Sequence, residues 1–190
     1  MEALLTSTLV VALAEIGDKT QLLAILLATR FRRPWPIIGG ILGATLVNHA
    51  LAALLGSEVA NLLDGPVFRY AVAFSFIAMA AWTLIPDKYE EADKGQRSRY
   101  GAFLTTLIAF FLVEMGDKTQ VATIALGAHY HQVALVAAGT TIGMMLANVP
   151  AVFLGERIVR LVPLHYVRIG AALIFLLLGL WALAGAAHLV

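Results

Sequence analysis

The chain has 190 residues, of which 61% are hydrophobic and 13% charged, and its mean hydropathy is +0.86. A soluble domain is nearer half apolar and one quarter charged, so these proportions exclude an ordinary soluble protein. The net charge of +1 gives no indication of nucleic-acid binding, and the lack of cysteine excludes disulfides, thiolate metal sites and thiol chemistry.

Six apolar stretches follow one another along the chain, each long enough to cross a bilayer as a helix of about 20 residues. Helices are expected because lipid leaves every backbone polar group to be satisfied within its own segment. The first stretch lacks the basic start of a signal peptide, so we interpret it as a retained helix. The predicted spans are residues 4–28, 35–56, 67–86, 102–127, 132–154 and 165–188.

A polar motif interrupts the first apolar stretch, and the fourth stretch carries a second copy. The first motif is EIGDKTQ at residues 15–21, and the second is EMGDKTQ at residues 114–120. Each copy brings two carboxylates and a lysine to the expected centre of a bilayer. An ionised side chain there costs several kcal/mol by insertion scales, so acids at this depth indicate a functional site.

The two halves of the chain repeat each other beyond the motif. The motifs are 99 residues apart (15 to 114), and Asn48 recurs as Asn148 at an offset of 100. Each half has three predicted spans, and because three is odd the second half enters the membrane from the opposite face. The sequence therefore predicts an all-α polytopic membrane protein with six transmembrane helices as two inverted three-helix repeats, in which the site lies between the repeats. The predicted parts are a first repeat at residues 1–86, a charged cytoplasmic linker at 87–101 and a second repeat at 102–190.

The basic residues are distributed unequally between the two sides of the membrane. One side has only Arg69, so the positive-inside rule assigns the other side to the cytoplasm and both termini to the outside. The basic residues of the cytoplasmic side are Arg30, Arg32, Arg33, Lys88, Lys94, Arg97, Arg99, Arg157 and Arg160.

The two motifs together predict one metal site. An acid pair spaced by three residues lies on one helix face, and pseudo-twofold symmetry brings both pairs together. Carboxylates, amides and hydroxyls suit hard divalent cations such as Mn²⁺, Ca²⁺ and Mg²⁺. Four acids and two lysines leave a charge of −2, which one divalent cation would neutralise. The candidate ligands are Glu15, Asp18, Glu114, Asp117, Gln21, Gln120, Asn48, Asn148, Thr20 and Thr119.

Two features of the motifs leave alternatives open. The lysines, Lys19 and Lys118, either pair with the acids when the site is empty, or extend toward the membrane interface, or hold the backbone in place. The glycines, Gly17 and Gly116, either let the helix unwind or allow close helix packing. For the acids as a group, the alternative to a metal site is a structural ion-pair network that joins two helices.

The doubled Glu-x-Gly-Asp-Lys-Thr phrase, on the first and fourth of six spans, resembles the signature of the GDT family of cation/proton exchangers. The resemblance covers essentially the whole chain. It implies transport of Mn²⁺ or Ca²⁺ against protons, with the motif acids as the ion site. The short chain is similar to the bacterial members, which mostly handle manganese, and this implies a location in the bacterial inner membrane.

The resulting hypothesis is a secondary antiporter that exports Mn²⁺ in exchange for protons by alternating access. The expected partners are the lipid bilayer, the metal ion and protons, with no cofactor and no enzymatic activity. A Ca²⁺/H⁺ antiporter with the same site and a passive divalent-cation channel are the alternatives. An intramembrane enzyme is disfavoured because acid and base catalysis usually needs two carboxyl groups in unlike environments. The oligomeric state is left open.

Overall fold

The computed structural model describes residues 1–63, 65–85, 101–155 and 164–187, and these residues form eight helices and no strand. The predicted all-helical fold is therefore confirmed over this part of the chain. The predicted linker at 87–101 lies outside the described residues, except for Gly101. The helices are α1 (Glu2–Glu15), α2 (Lys19–Phe31), α3 (Pro34–Leu62), α4 (Pro66–Thr83), α5 (Ala102–Glu114), α6 (Lys118–Tyr130), α7 (Val133–Leu154) and α8 (Leu164–Ala186).

The first and fourth predicted spans, 4–28 and 102–127, are each broken into two helices at the motif. Residues 16–18 separate α1 from α2, and residues 115–117 separate α5 from α6. The cause is local: Gly17 has φ +80° and Gly116 has φ +77°, and this left-handed conformation interrupts the right-handed helix. Of the two roles left open for these glycines, the structure shows helix breaking.

Four of the described helices, α3, α4, α7 and α8, are individually long and apolar enough to cross a membrane. Leucines of α3 such as Leu46, Leu51 and Leu55 are exposed, and lipid would cover them. The four motif-bearing helices have 13 or 14 residues each, or about 20 Å, which is too short for a core of about 30 Å. The pairs α1 with α2 and α5 with α6 can therefore each cross the membrane only if their two helices together form one span.

The two halves of the chain pack across each other. Helix α1 of the first half lies against α7 of the second, α5 lies against α3, and α3 and α7 also pack together. The close approach of α7 to α1 depends on glycine: a Cβ at Gly139 would lie 2.5 Å from the Leu4 carbonyl oxygen, and one at Gly143 would lie 2.6 Å from that of Thr8. Glycine at these two positions therefore allows the close packing of the two helices. The crossed arrangement brings the two broken motifs to the middle of the bundle.

The packing around the two motifs is unequal. Helix α6 lies against α3 and α4, and α1 lies against α8. Exchanging the two halves turns the α4–α6 pair into α8–α2, and the α1–α8 pair into α5–α4. These two equivalent pairs make few contacts or none between described residues. Among the described residues, the side of the bundle that contains α1 and α6 is therefore more tightly packed than the side that contains α2 and α5.

Candidate metal site

Three carboxylates from both halves of the chain meet at the broken motifs. Glu15 ends α1, Asp18 is the N-cap of α2, and Asp117 is the N-cap of α6. Each of the three contributes an oxygen, and these oxygens all lie within 4.8 Å of one another. We call these three residues the acidic cluster. The residues of the first motif do meet, but across the break between two helices rather than on one helix face as the spacing predicts.

All members of the acidic cluster are buried, with Glu15 at 0%, Asp18 at 4% and Asp117 at 2% exposure. The N-cap positions of the two aspartates bring their charge to the positive ends of α2 and α6, which stabilises it. Asp117 also accepts a hydrogen bond through Oδ1 from the backbone N–H of Lys118, at 2.8 Å. Even so, three buried carboxylates this close repel one another unless a cation or protons neutralise them.

The fourth predicted acid, Glu114, lies beside the acidic cluster and is held by hydrogen bonds. Its Oε1 accepts from the Thr45 hydroxyl at 2.8 Å, and its Oε2 accepts from Asn48 Nδ2 at 3.1 Å. Its charge is close enough to those of Glu15 and Asp117 to interact with them. The four predicted acids are thus neighbours, although only three of them form the compact group.

Several oxygens of the predicted ligands are buried and accept no hydrogen bond within the described part of the chain. Buried polar atoms without a partner are uncommon in proteins, and a bound ion would satisfy them. A hard divalent cation fits this set of oxygens best, because carboxylate, amide and hydroxyl oxygens are the ligands that such ions prefer. The atoms are Glu15 Oε1, Asp117 Oδ2, Thr119 Oγ1 and Asn148 Oδ1.

The two motif glutamines brace the breaks in the helices. Gln21 Oε1 accepts from the Gly17 N–H at 2.9 Å, and Gln120 Oε1 accepts from the Gly116 N–H at 2.7 Å. Gln21 also donates to the Ala147 carbonyl of α7 at 3.0 Å. Their amide oxygens are therefore bonded to the backbone in this structure, a role that the sequence reasoning did not identify.

Thr20, Asn48 and Asn148, which are also predicted ligands, have different hydrogen-bond partners. The Thr20 hydroxyl donates to Glu15 within the first motif. Asn48 Oδ1 accepts from Gln120 Nε2 at 3.3 Å, which ties α3 to the second motif. Asn148 instead donates to the carbonyl oxygen and the sulfur of Met144, its neighbour one turn earlier on α7, at 3.1 and 2.9 Å.

The two motif lysines have different contacts. Lys19 Nζ lies 3.2 Å from Asp117 Oδ1, so it pairs with the acid of the other motif. Lys118 Nζ donates to the carbonyl of Ile85, beyond the C-terminal end of α4, at 3.0 Å. Two of the roles left open for the lysines are thus seen: Lys19 pairs with an acid, and Lys118 holds backbone among its contacts.

Sequence reasoning missed Thr45, which binds Glu114 directly. Its signal in the sequence is weak: Thr45 lies one turn before Asn48 on α3, so that both side chains face the same way. The second half of the chain has Met145 at the equivalent position, and a search for residues shared by the two halves therefore passes over it.

The family profile described as "Divalent cation/proton antiporter GDT1" matches residues 3–91 and 102–189, which is nearly the whole chain. The chain belongs to the GDT1 family. The family resemblance read from the doubled motif is thereby confirmed, and with it the class of membrane transporters of divalent cations.

Relatives of this GDT1-family chain occur in bacteria and plants. A Vibrio cholerae protein named "Putative manganese exporter" is 50% identical over 181 residues, which cover 95% of this chain and 90% of the relative. A GDT1-like protein of Synechocystis is 28% identical over 176 residues, covering 82% and 84%. GDT1-like protein 3 of Arabidopsis thaliana is 29% identical over 201 residues, covering 92% and 68%. No solved structure matches the chain.

Proposed function

We propose that this GDT1-family protein exports Mn²⁺ from the cytoplasm in exchange for protons. The observation that carries the proposal is the acidic cluster, in which three buried carboxylates from both halves of the chain lie within 4.8 Å of one another. Family membership supports divalent cations and protons as the exchanged ions. The choice of Mn²⁺ is supported by the name of the Vibrio cholerae relative.

In this proposal the metal and the protons compete for the same oxygens. The cation binds to Glu15, Asp18 and Asp117, with Glu114 and the nearby hydroxyl and amide oxygens completing its coordination. When the cation leaves, the crowded carboxylates take up protons, because their mutual repulsion and burial disfavour three adjacent charges. Exchange then needs no separate proton site and no cofactor.

Alternating access is supported by the unequal packing around the motifs. By the positive-inside rule α1 and α6 occupy the outer half of the membrane, and these are the helices with the more extensive contacts. We therefore infer that the structure is in a state in which the less tightly packed side, with α2 and α5, faces the cytoplasm. The proposal includes six spans as two inverted repeats, with both termini outside the inner membrane, and the breaks at Gly17 and Gly116 serve as the hinges.

The test is ion flux in proteoliposomes, with Mn²⁺, Ca²⁺ and Mg²⁺ compared at two pH gradients. We expect Mn²⁺ flux that follows the proton gradient and that is lost in Glu15→Gln and Asp117→Asn. Glu58→Gln is the matched control, since Glu58 is an exposed acid of α3 away from the motifs. Near-normal exchange in either cluster variant would exclude the acids from the cycle, and flux that ignores the pH gradient would indicate a passive channel.

A further inference from the structure

The carboxylate of Glu114 is held by two donors that both come from α3. The Thr45 hydroxyl lies 2.8 Å from Oε1, and Asn48 Nδ2 lies 3.1 Å from Oε2. All three side chains are buried, with none more than 2% exposed. Because each oxygen of the carboxylate has its own donor, the group is fixed in orientation as well as in position.

The second half of the chain does not provide the same arrangement for Glu15. The offset that aligns Asn48 with Asn148 places Met145 where Thr45 stands, and a thioether has no hydrogen to donate. Met145 lies with Leu42, Leu146 and other residues in a mainly apolar groove on α3 and α7.

The hydrogen bonds of the Glu15 carboxylate follow from this difference. Asn148 donates to Met144 rather than to an acid. Glu15 instead accepts from Thr20, a member of its own motif. Its other oxygen accepts no hydrogen bond of normal geometry from a described residue, although the Thr119 hydroxyl of the second motif lies near enough to stabilise the carboxylate. The difference between the two glutamates is therefore set by the sequence, because Met145 cannot donate a hydrogen bond to a carboxylate in any conformation.

We propose that Thr45 is a positioning residue for cation binding, which fixes the Glu114 carboxylate at the edge of the acidic cluster. The two motifs then have different tasks: the second offers a carboxylate that is already in place, and the first offers one that is free to reorient around the ion. This inference rests on the proposed function, because it assigns Thr45 to the same site. Its physical basis is that a ligand held in place loses less conformational freedom when the ion binds.

The test compares three variants by the KM and the maximal rate of Mn²⁺ transport in proteoliposomes. Thr45→Val keeps the shape of the side chain and removes the hydroxyl, and it is expected to raise the KM about tenfold, since hydrogen bonds to charged groups are among the stronger ones. Thr45→Ser retains a hydroxyl and is expected to restore a KM near that of the wild type. Thr106→Val is the matched control, because Thr106 is a fully buried threonine of α5 whose hydroxyl has no partner among the described residues.

The inference is supported if the KM rises in Thr45→Val but not in Thr45→Ser or Thr106→Val, while the maximal rate stays within about twofold of the wild type. It is overturned if Thr45→Val has a wild-type KM, if Thr45→Ser fails to restore it, or if Thr106→Val raises it equally. Thr45→Ala also removes the hydroxyl and must show the same rise in the KM. It replaces Thr45→Val if the valine variant is not monodisperse. Wild-type vesicles that show no cation/proton exchange would refute the proposed function itself, whereas normal exchange in both Thr45→Val and the wild type refutes only the role of Thr45.

Discussion

Lys19 Nζ lies 3.2 Å from Asp117 Oδ1, which joins the lysine of the first motif to the aspartate of the second. The Lys19 side chain is 28% exposed and that of Asp117 only 3%, so the ammonium group lies on the more accessible side of the acidic cluster. A cation that binds Asp117 has to compete with Lys19 for the same carboxylate. The lysine is therefore placed to weaken cation binding and to favour release.

Replacing Lys19 with methionine tests this competition. Removing the ammonium leaves the acidic cluster more negative, so we expect Lys19→Met to lower the KM for Mn²⁺. A pair of this partial exposure is worth about 1 kcal/mol, or about fivefold in the KM. The maximal rate should fall, because the cation then leaves more slowly. Initial rates of Mn²⁺ transport in proteoliposomes measure both quantities.

Lys118→Met provides the matched comparison, since it makes the same change in the other motif. Lys118 Nζ donates to the Ile85 carbonyl, so we expect this variant to reduce thermal stability more than it changes the KM. Equal changes of the KM in the two variants would contradict the unequal roles assigned to the lysines.

Alanine at the two motif glycines should destabilise the protein to different extents. Both positions have a positive φ, which costs a residue with a Cβ about 1–2 kcal/mol. At Gly17 an added Cβ would also lie 2.6 Å from a methyl carbon of Leu164, whereas at Gly116 it would meet no described atom within 4 Å. We expect Gly17→Ala to lower the melting temperature of the detergent-solubilised protein more than Gly116→Ala does.

The order of these two alanine variants is the informative result, because both share the cost of the backbone conformation. Stability equal to that of the wild type in both variants would show that neither break needs the left-handed conformation. A larger fall in melting temperature in Gly116→Ala than in Gly17→Ala would show that the contact with Leu164 does not add to the cost of a side chain at position 17.

The single-helix spans were predictable because length and apolar composition suffice to place them. The prediction at 132–154 corresponds to α7, Val133–Leu154, and the prediction at 67–86 corresponds to α4, Pro66–Thr83. Helix α3 instead continues to Leu62, six residues past its predicted end at residue 56. Its polar residues from Ser57 onward ended the apolar pattern without ending the helix, because a helix can extend beyond the hydrocarbon core.

The details of the site were less predictable, because a duplicated motif gives symmetric expectations. Repetition identified the acids of the acidic cluster, yet it could not show that Lys19 pairs with Asp117 or that Lys118 binds the Ile85 carbonyl. Thr45 was passed over since it has no counterpart in the second half. The breaks were left open because glycine suits either close packing or a left-handed turn, and the spacing of the motif is the same in both cases.

The orientation of the two halves can be tested with single cysteines, because the chain has none of its own. Arg33 is the N-cap of α3 and Gln132 is the N-cap of α7, and both are exposed, which makes them a matched pair 99 residues apart. The positive-inside rule assigns Arg33 to the cytoplasm, and the inverted repeat then assigns Gln132 to the outside. We expect a membrane-impermeant maleimide to label Gln132→Cys in intact cells and Arg33→Cys only in everted vesicles. Labelling of both from one side would contradict the inverted repeat, and the opposite pattern would reverse the orientation while leaving the repeat intact.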